Sequence, residues 1–82
     1  MDYYVYILKS QSNPDRFYIG YTADLDKRMK NHSNPKSTAY TMQYAPWELE
    51  TYVVFKKKIL AEKFEIYLKS HAGRAFLKKR LI

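Results

Sequence analysis

Two short runs rich in aromatic and β-branched residues, Tyr3-Tyr4-Val5-Tyr6-Ile7-Leu8-Lys9 and Phe17-Tyr18-Ile19-Gly20-Tyr21, flank the turn formers Ser10-Gln11-Ser12-Asn13-Pro14-Asp15. Residues of the first kind favour a pleated, half-buried surface, and those of the second close loops. The pattern predicts an antiparallel hairpin, with Gly20 placed where a Cβ would obstruct a neighbour. With 82 residues and no cysteine, the chain has one core and neither disulfides nor a thiolate metal site to support it. The hydrophobic fraction of 46% is enough to fold and argues against a disordered tail.

Beyond the hairpin, Thr22-Ala23-Asp24 offers helix-capping side chains. Leu25, Arg28, Met29 and His32 follow at spacings that place them on one face of a two-turn helix. Residues 33–42 show no period and contain Pro35, so they read as a surface loop and the one candidate for a mobile element. From Trp47 to Phe55 the chain alternates, setting Trp47, Leu49, Thr51 and Val53 against Glu48, Glu50, Tyr52 and Val54, as a third strand does. Leu60, Ala61, Phe64, Tyr67 and Leu68 then form a helical stripe expected to pack on the sheet. Residues 70–73 interrupt it, and 74–81 read as a short terminal helix with Lys78, Lys79 and Arg80 outward. The expected fold is a single α+β domain over 1–82: a three-stranded, mostly antiparallel sheet flanked by helices in the order ββαβαα.

The formal charge of +7 is unevenly placed. Basic and acidic residues balance over 1–50, whereas 51–82 carry nine basic residues against Glu62 and Glu65. Such an excess suits a face turned to a polyanion, nucleic acid being the commonest, or a solvated face that only confers solubility. Residues 1–8 lack a basic leader and no apolar run approaches the ~20 residues that span a bilayer. The expectation is a soluble, cytoplasmic protein with no membrane partner.

Tyr4-Val5-Tyr6 on one strand, Tyr18-Ile19-Gly20 on the next, then Thr22, Asp24-Leu25, Arg28 and His32 resemble the GIY-YIG endonuclease family in order and spacing. Ala61, Glu65 and Lys69 are similar to the family's second helix, and the resemblance is closest to its small stand-alone bacterial members. Tyr4 and Val5 stand where the family has glycine and isoleucine, and no asparagine follows Asn34. The resemblance implies an endonuclease that hydrolyses nucleic-acid phosphodiesters, DNA before RNA, with one Mg²⁺ or Mn²⁺ ion and a setting in repair or recombination. The alternative is a non-catalytic nucleic-acid-binding module of the same fold; a monomer is expected, with a transient dimer conceivable.

Each candidate residue has a chemical role and a plain structural one. Glu65 supplies a hard carboxylate for a divalent ion, or is a solvated helix acid. Arg28 pairs bidentately with a phosphate, or with Asp24 one turn earlier. Tyr6 and Tyr18 are, by resemblance, the phenols that position or deprotonate the attacking water, which as a base would require a nearby cation to lower their pKa; alone, each reads as core packing. His32 contacts phosphate or water, or caps the helix C-terminus. Lys69, Arg74, Lys78, Lys79 and Arg80 would hold backbone phosphates without reading bases. Tyr40 and Trp47 could stack on bases, with core packing the preferred role for Trp47.

Overall fold

A computed structural model describes residues 1–30 and 39–82, with the side chains of Ala39 and Tyr40 left out. Strands β1 (Tyr3–Ser10), β2 (Phe17–Thr22) and β3 (Trp47–Phe55) form one sheet in the order β2-β1-β3. Both pairings are antiparallel. The hairpin predicted from its turn formers is therefore present, and β1 is central, as its buried run Val5–Leu8 requires.

Successive side chains of β1 point to opposite faces of the sheet. Val5 and Ile7 face a core built with Ala61, Leu68 and Leu77. Tyr6 and Leu8 face a second cluster with Trp47, joined by Tyr18, Leu25, Met29 and Tyr44. Helices thus cover both sides, and each fully buried Ile or Leu contributes about 1.5–3 kcal/mol. Helix α1 (Leu25–Lys30) lies on the Tyr6 side. Its start is set as the sequence predicts, the Asp24 carboxylate accepting from Lys27 N at 3.0 Å and the Thr22 hydroxyl from Asp24 N at 3.1 Å.

Four details depart from the sequence reading. The alternation in β3 does not run through: opposite β1, Ile7 pairs with Thr51 but Leu8 pairs with Leu49, leaving Glu50 as the extra residue of a bulge. Trp47 and Leu49 consequently share the Tyr6 face, whereas Thr51 and Val53 share the Val5 face. Part of the expected loop is a short helix, α2 (Ala39–Gln43), pinned from behind by Trp47, whose Nε1 donates to the Thr41 carbonyl at 2.9 Å. The Ser10 hydroxyl likewise donates to the Tyr44 carbonyl. Residues 33–38 of that loop, and His32, lie outside the described residues.

Helix α3 (Lys58–Lys69) is turned relative to its apolar stripe. Ala61 and Leu68 are buried, but Leu60 and Tyr67 are 47% and 42% exposed. The small side chain of Ala61 lets the helix approach the sheet closely, and packing follows the Ala61–Leu68 line. At about 100° per residue, Glu65 lies nearer that line than Leu60 or Tyr67 does. Finally, only Ser70 breaks the C-terminal helices. Helix α4 (His71–Phe76) begins immediately, the Ser70 hydroxyl accepting from Gly73 N at 3.1 Å, and continues into a π-helical turn, Leu77–Leu81.

Candidate active site

Tyr6 is central to the site because of its cross-strand partner. Gly20 lies opposite Tyr6 in the β1–β2 register. A Cβ at Gly20 would overlap the Tyr6 Cζ and hydroxyl oxygen. The glycine is required by this close approach rather than by its backbone, which has no positive φ. It lets the end of the Tyr6 ring lie against Gly20 of β2, the edge strand. Tyr18, two residues before Gly20, sets its ring 6.4 Å from that of Tyr6 and 6.2 Å from that of Trp47.

Charged groups from both layers influence the Tyr6 phenol. Arg28, half-buried on α1 beside Leu25 and Met29, and Glu65 of α3 both act on the Tyr6 phenol electrostatically. Burial dominates and raises the phenol's pKa from 10.0 to about 12; Arg28 opposes the rise, while Tyr18 and Glu65 add to it. Arg28 thus acts in the direction expected of a neighbouring cation, but burial outweighs it. Enclosure of the ring favours the neutral phenol.

The ion pairs among the described residues do not include Arg28 with Asp24, whose carboxylate caps α1 instead. Glu65 has a side chain only 22% exposed, so it is not the freely solvated acid of the plain reading. Its carboxylate accepts from Lys69 Nζ at 3.2 Å.

A groove of about 500 Å³ opens alongside, between the start of β2 and the C-terminal helices. Tyr18 belongs to both groove and site, and Lys69, Arg74 and Lys78 line the groove, so three of the five predicted phosphate-holding cations come together there. Lys79 and Arg80 are exposed on the last turn and are not among the lining residues. Arg16 lines the groove too and was not anticipated. Its guanidinium lies 5.2 Å from the Tyr44 ring centroid, a cation–π contact that fixes its direction. The available signal was its position just ahead of Tyr18. Asp15 is the one acidic residue on the lining. Trp47, 1% exposed, is a core residue and is not available for base stacking.

No group of three His, Asp or Glu side chains gathers among the described residues to enclose a metal ion. A single partly buried carboxylate suits a hydrated hard cation, which takes its other ligands from water and from a substrate phosphate. Glu65 is the residue that would hold it.

The sequence matches the GIY-YIG catalytic domain over residues 2–80. This chain belongs to the GIY-YIG family. Among its relatives, UPF0213 protein BH0048 of Halalkalibacterium halodurans is 36% identical over 74 residues, spanning 90% of this chain and 76% of that protein. UPF0213 protein YazA of Bacillus subtilis is 37% identical over 68 residues, 83% of this chain and 67% of the relative. The structure-specific endonuclease subunit SLX1 of Malassezia globosa is 36% identical over 76 residues, covering 88% of this chain but 17% of that larger protein. The solution NMR structure of BH0048 superimposes with a TM-score of 0.58 at 33% identity, covering 96% of this chain and 84% of the other. Family membership, the antiparallel α+β fold and the kinship with an endonuclease subunit place the chain among nuclease domains, whose substrates are nucleic acids. No helix among the described residues is long and apolar enough to cross a membrane.

Proposed function

We propose that this GIY-YIG domain is a divalent-metal-dependent endonuclease that hydrolyses phosphodiester bonds, with DNA as its substrate, in a repair or recombination setting. What supports the reading is the Tyr6–Tyr18 ring pair under the electrostatic influence of Arg28 and Glu65, with Tyr18 lining a groove that carries Arg16, Lys69, Arg74 and Lys78. A bare binding module has no need of an inward-turned carboxylate beside a polyanion, where it repels the ligand.

Hydrolysis joins a water oxygen to phosphorus and expels a nucleoside oxygen, so the site must hold the phosphate, orient the water and accommodate the charge that builds up. Arg28 is suited to the first task because a guanidinium binds phosphate oxygens in a bidentate fork. Tyr6, protonated, donates a hydrogen bond that orients the water or a phosphate oxygen. Mg²⁺ or Mn²⁺ at Glu65 would supply positive charge against the developing negative charge. The groove cations hold the flanking backbone without reading sequence, so recognition follows nucleic-acid structure rather than base identity.

The test is cleavage of labelled single-stranded, duplex, flapped and branched DNA and of RNA, with Mg²⁺, Mn²⁺ or EDTA. Metal-dependent cutting by wild type that disappears in Glu65→Ala, with binding retained, is the expected result; Arg28→Ala should weaken binding and cutting together. Steeply salt-dependent binding without any cutting would replace the nuclease by a non-catalytic nucleic-acid-binding module.

A further inference from the structure

Lys69 belongs to two arrangements at once. It follows Glu65 by one turn of α3, and its ammonium lies 3.2 Å from the Glu65 carboxylate. It also lines the cationic groove with Arg16, Arg74 and Lys78. An ammonium at that distance uses a carboxylate oxygen that a hard cation would coordinate, and it repels the cation as well. The ion pair and a metal on Glu65 therefore compete.

The groove explains which way Lys69 turns. Four cations against Asp15 alone make an empty groove repulsive to a further positive charge, and this presses the Lys69 ammonium toward Glu65. A phosphate in the groove reverses that preference by offering Lys69 a second anion. Lysine suits the exchange, since its flexible stem and rotatable ammonium can reach either partner, whereas a guanidinium fork favours one fixed geometry.

We propose that Lys69 is a counter-ion shared between Glu65 and the nucleic-acid backbone, and that it couples metal binding to substrate binding. Without metal, Lys69 neutralises Glu65. When an ion takes Glu65, Lys69 is released to a phosphate in the groove; when a strand enters the groove, Lys69 leaves Glu65 open to the ion. Because the coupling is a difference in binding free energies, each ligand tightens the other by the same factor. The inference rests on the nuclease reading of Glu65 as the metal-holding residue, and adds to it a positioning role for Lys69.

The experiment is a titration of metal-free protein with Mn²⁺, followed by the electron paramagnetic resonance of the free ion, at fixed ionic strength and without nucleic acid. Wild type is compared with Lys69→Met, Lys78→Met and Glu65→Gln. Loss of a partly exposed ion pair should tighten Mn²⁺ roughly two- to fivefold in Lys69→Met. Lys78→Met removes an equal charge from the same groove and should change it less. Anisotropy of a short labelled single-stranded DNA, with and without Ca²⁺, reads the reciprocal arm: Ca²⁺ should tighten wild type more than Lys69→Met. If Lys69→Met binds Mn²⁺ no more tightly than wild type, or no more tightly than Lys78→Met, the coupling is overturned while Glu65 can still hold the ion. If Glu65→Gln binds Mn²⁺ as wild type does, the coupling and the metal-dependent nuclease reading both fall.

Discussion

Replacing Gly20 by alanine probes the contact on which the site is built. The added Cβ would overlap the Tyr6 Cζ and hydroxyl and lie 2.8 Å from its Cε2. A flexible side chain could swing aside, but the Tyr6 ring is 1% exposed and packed with Leu8, Trp47 and Tyr18. Either the ring or the edge strand must move, and overpacking of this kind costs about 1–3 kcal/mol. In a domain of this size each kcal/mol lowers the melting temperature by roughly 4–8 °C. The same movement displaces the hydroxyl, and a misplacement of about 1 Å in a positioned group costs on the order of a hundredfold in rate.

Gly73→Ala separates the two effects. There the new Cβ would overlap the Tyr67 carbonyl oxygen and lie 2.6 Å from the Leu68 Cα, both backbone atoms that no rotamer change can clear. Gly73→Ala should therefore destabilise at least as much as Gly20→Ala, yet it leaves the Tyr6–Gly20 contact untouched. Thermal unfolding followed by circular dichroism gives the stabilities, and cleavage rates taken well below both midpoints give the catalytic effect. Gly20→Ala should lose far more activity per folded molecule than Gly73→Ala. Equal losses, or a Gly20→Ala protein as stable and active as wild type, would refute the argument that β2 admits the Tyr6 hydroxyl through its missing Cβ.

The Tyr6 phenol is raised from 10.0 to about 12 on folding, so it contributes stability that is complete below its unfolded pKa and lost as pH rises toward the folded one. At about 1.4 kcal/mol per unit that is at most about 3 kcal/mol, and Tyr6→Phe removes the dependence. Urea unfolding at about pH 9 and pH 12 should show wild type losing stability relative to Tyr6→Phe; a constant difference would contradict the burial argument. In the groove, Arg74→Ala should lower the slope of log binding constant against log salt by about 0.7–0.9. Lys79→Ala, outside the lining, should lower it less, and equal slopes in the two variants would remove the groove as the path of the strand.

What could be read from the amino acids was whatever depends on neighbours in sequence. The hairpin follows from its turn formers, the start of α1 from Thr22 and Asp24, and the shared face of Leu25, Arg28 and Met29 from helical spacing. What was misread depends on distant partners. The bulge at Glu50 exists only against β1, so the alternation of β3 seemed regular by itself. The rotation of α3 is decided by how closely Ala61 can approach the sheet, and an apolar count gives Leu60 and Tyr67 the same weight as Leu68. The short helix after residue 38 depends on the Trp47 indole below it. Arg16 escaped notice because the groove is assembled from a loop, an edge strand and two helical segments.

At Tyr6 two opposing effects meet, and only the fold weighs them. Sequence supplies the phenol and a nearby arginine, a pairing that suggests a lowered pKa; only the fold shows the ring enclosed by Leu8, Trp47 and Tyr18, where removal from water outweighs the arginine. Burial therefore works against ionisation of Tyr6, and the arginine offsets it only in part. Tyr18, half-buried, lines the groove and touches the Tyr6 cluster, so the two tyrosines that sequence spacing joins differ in access: Tyr6 is enclosed at 1% exposure and Tyr18 reaches the groove.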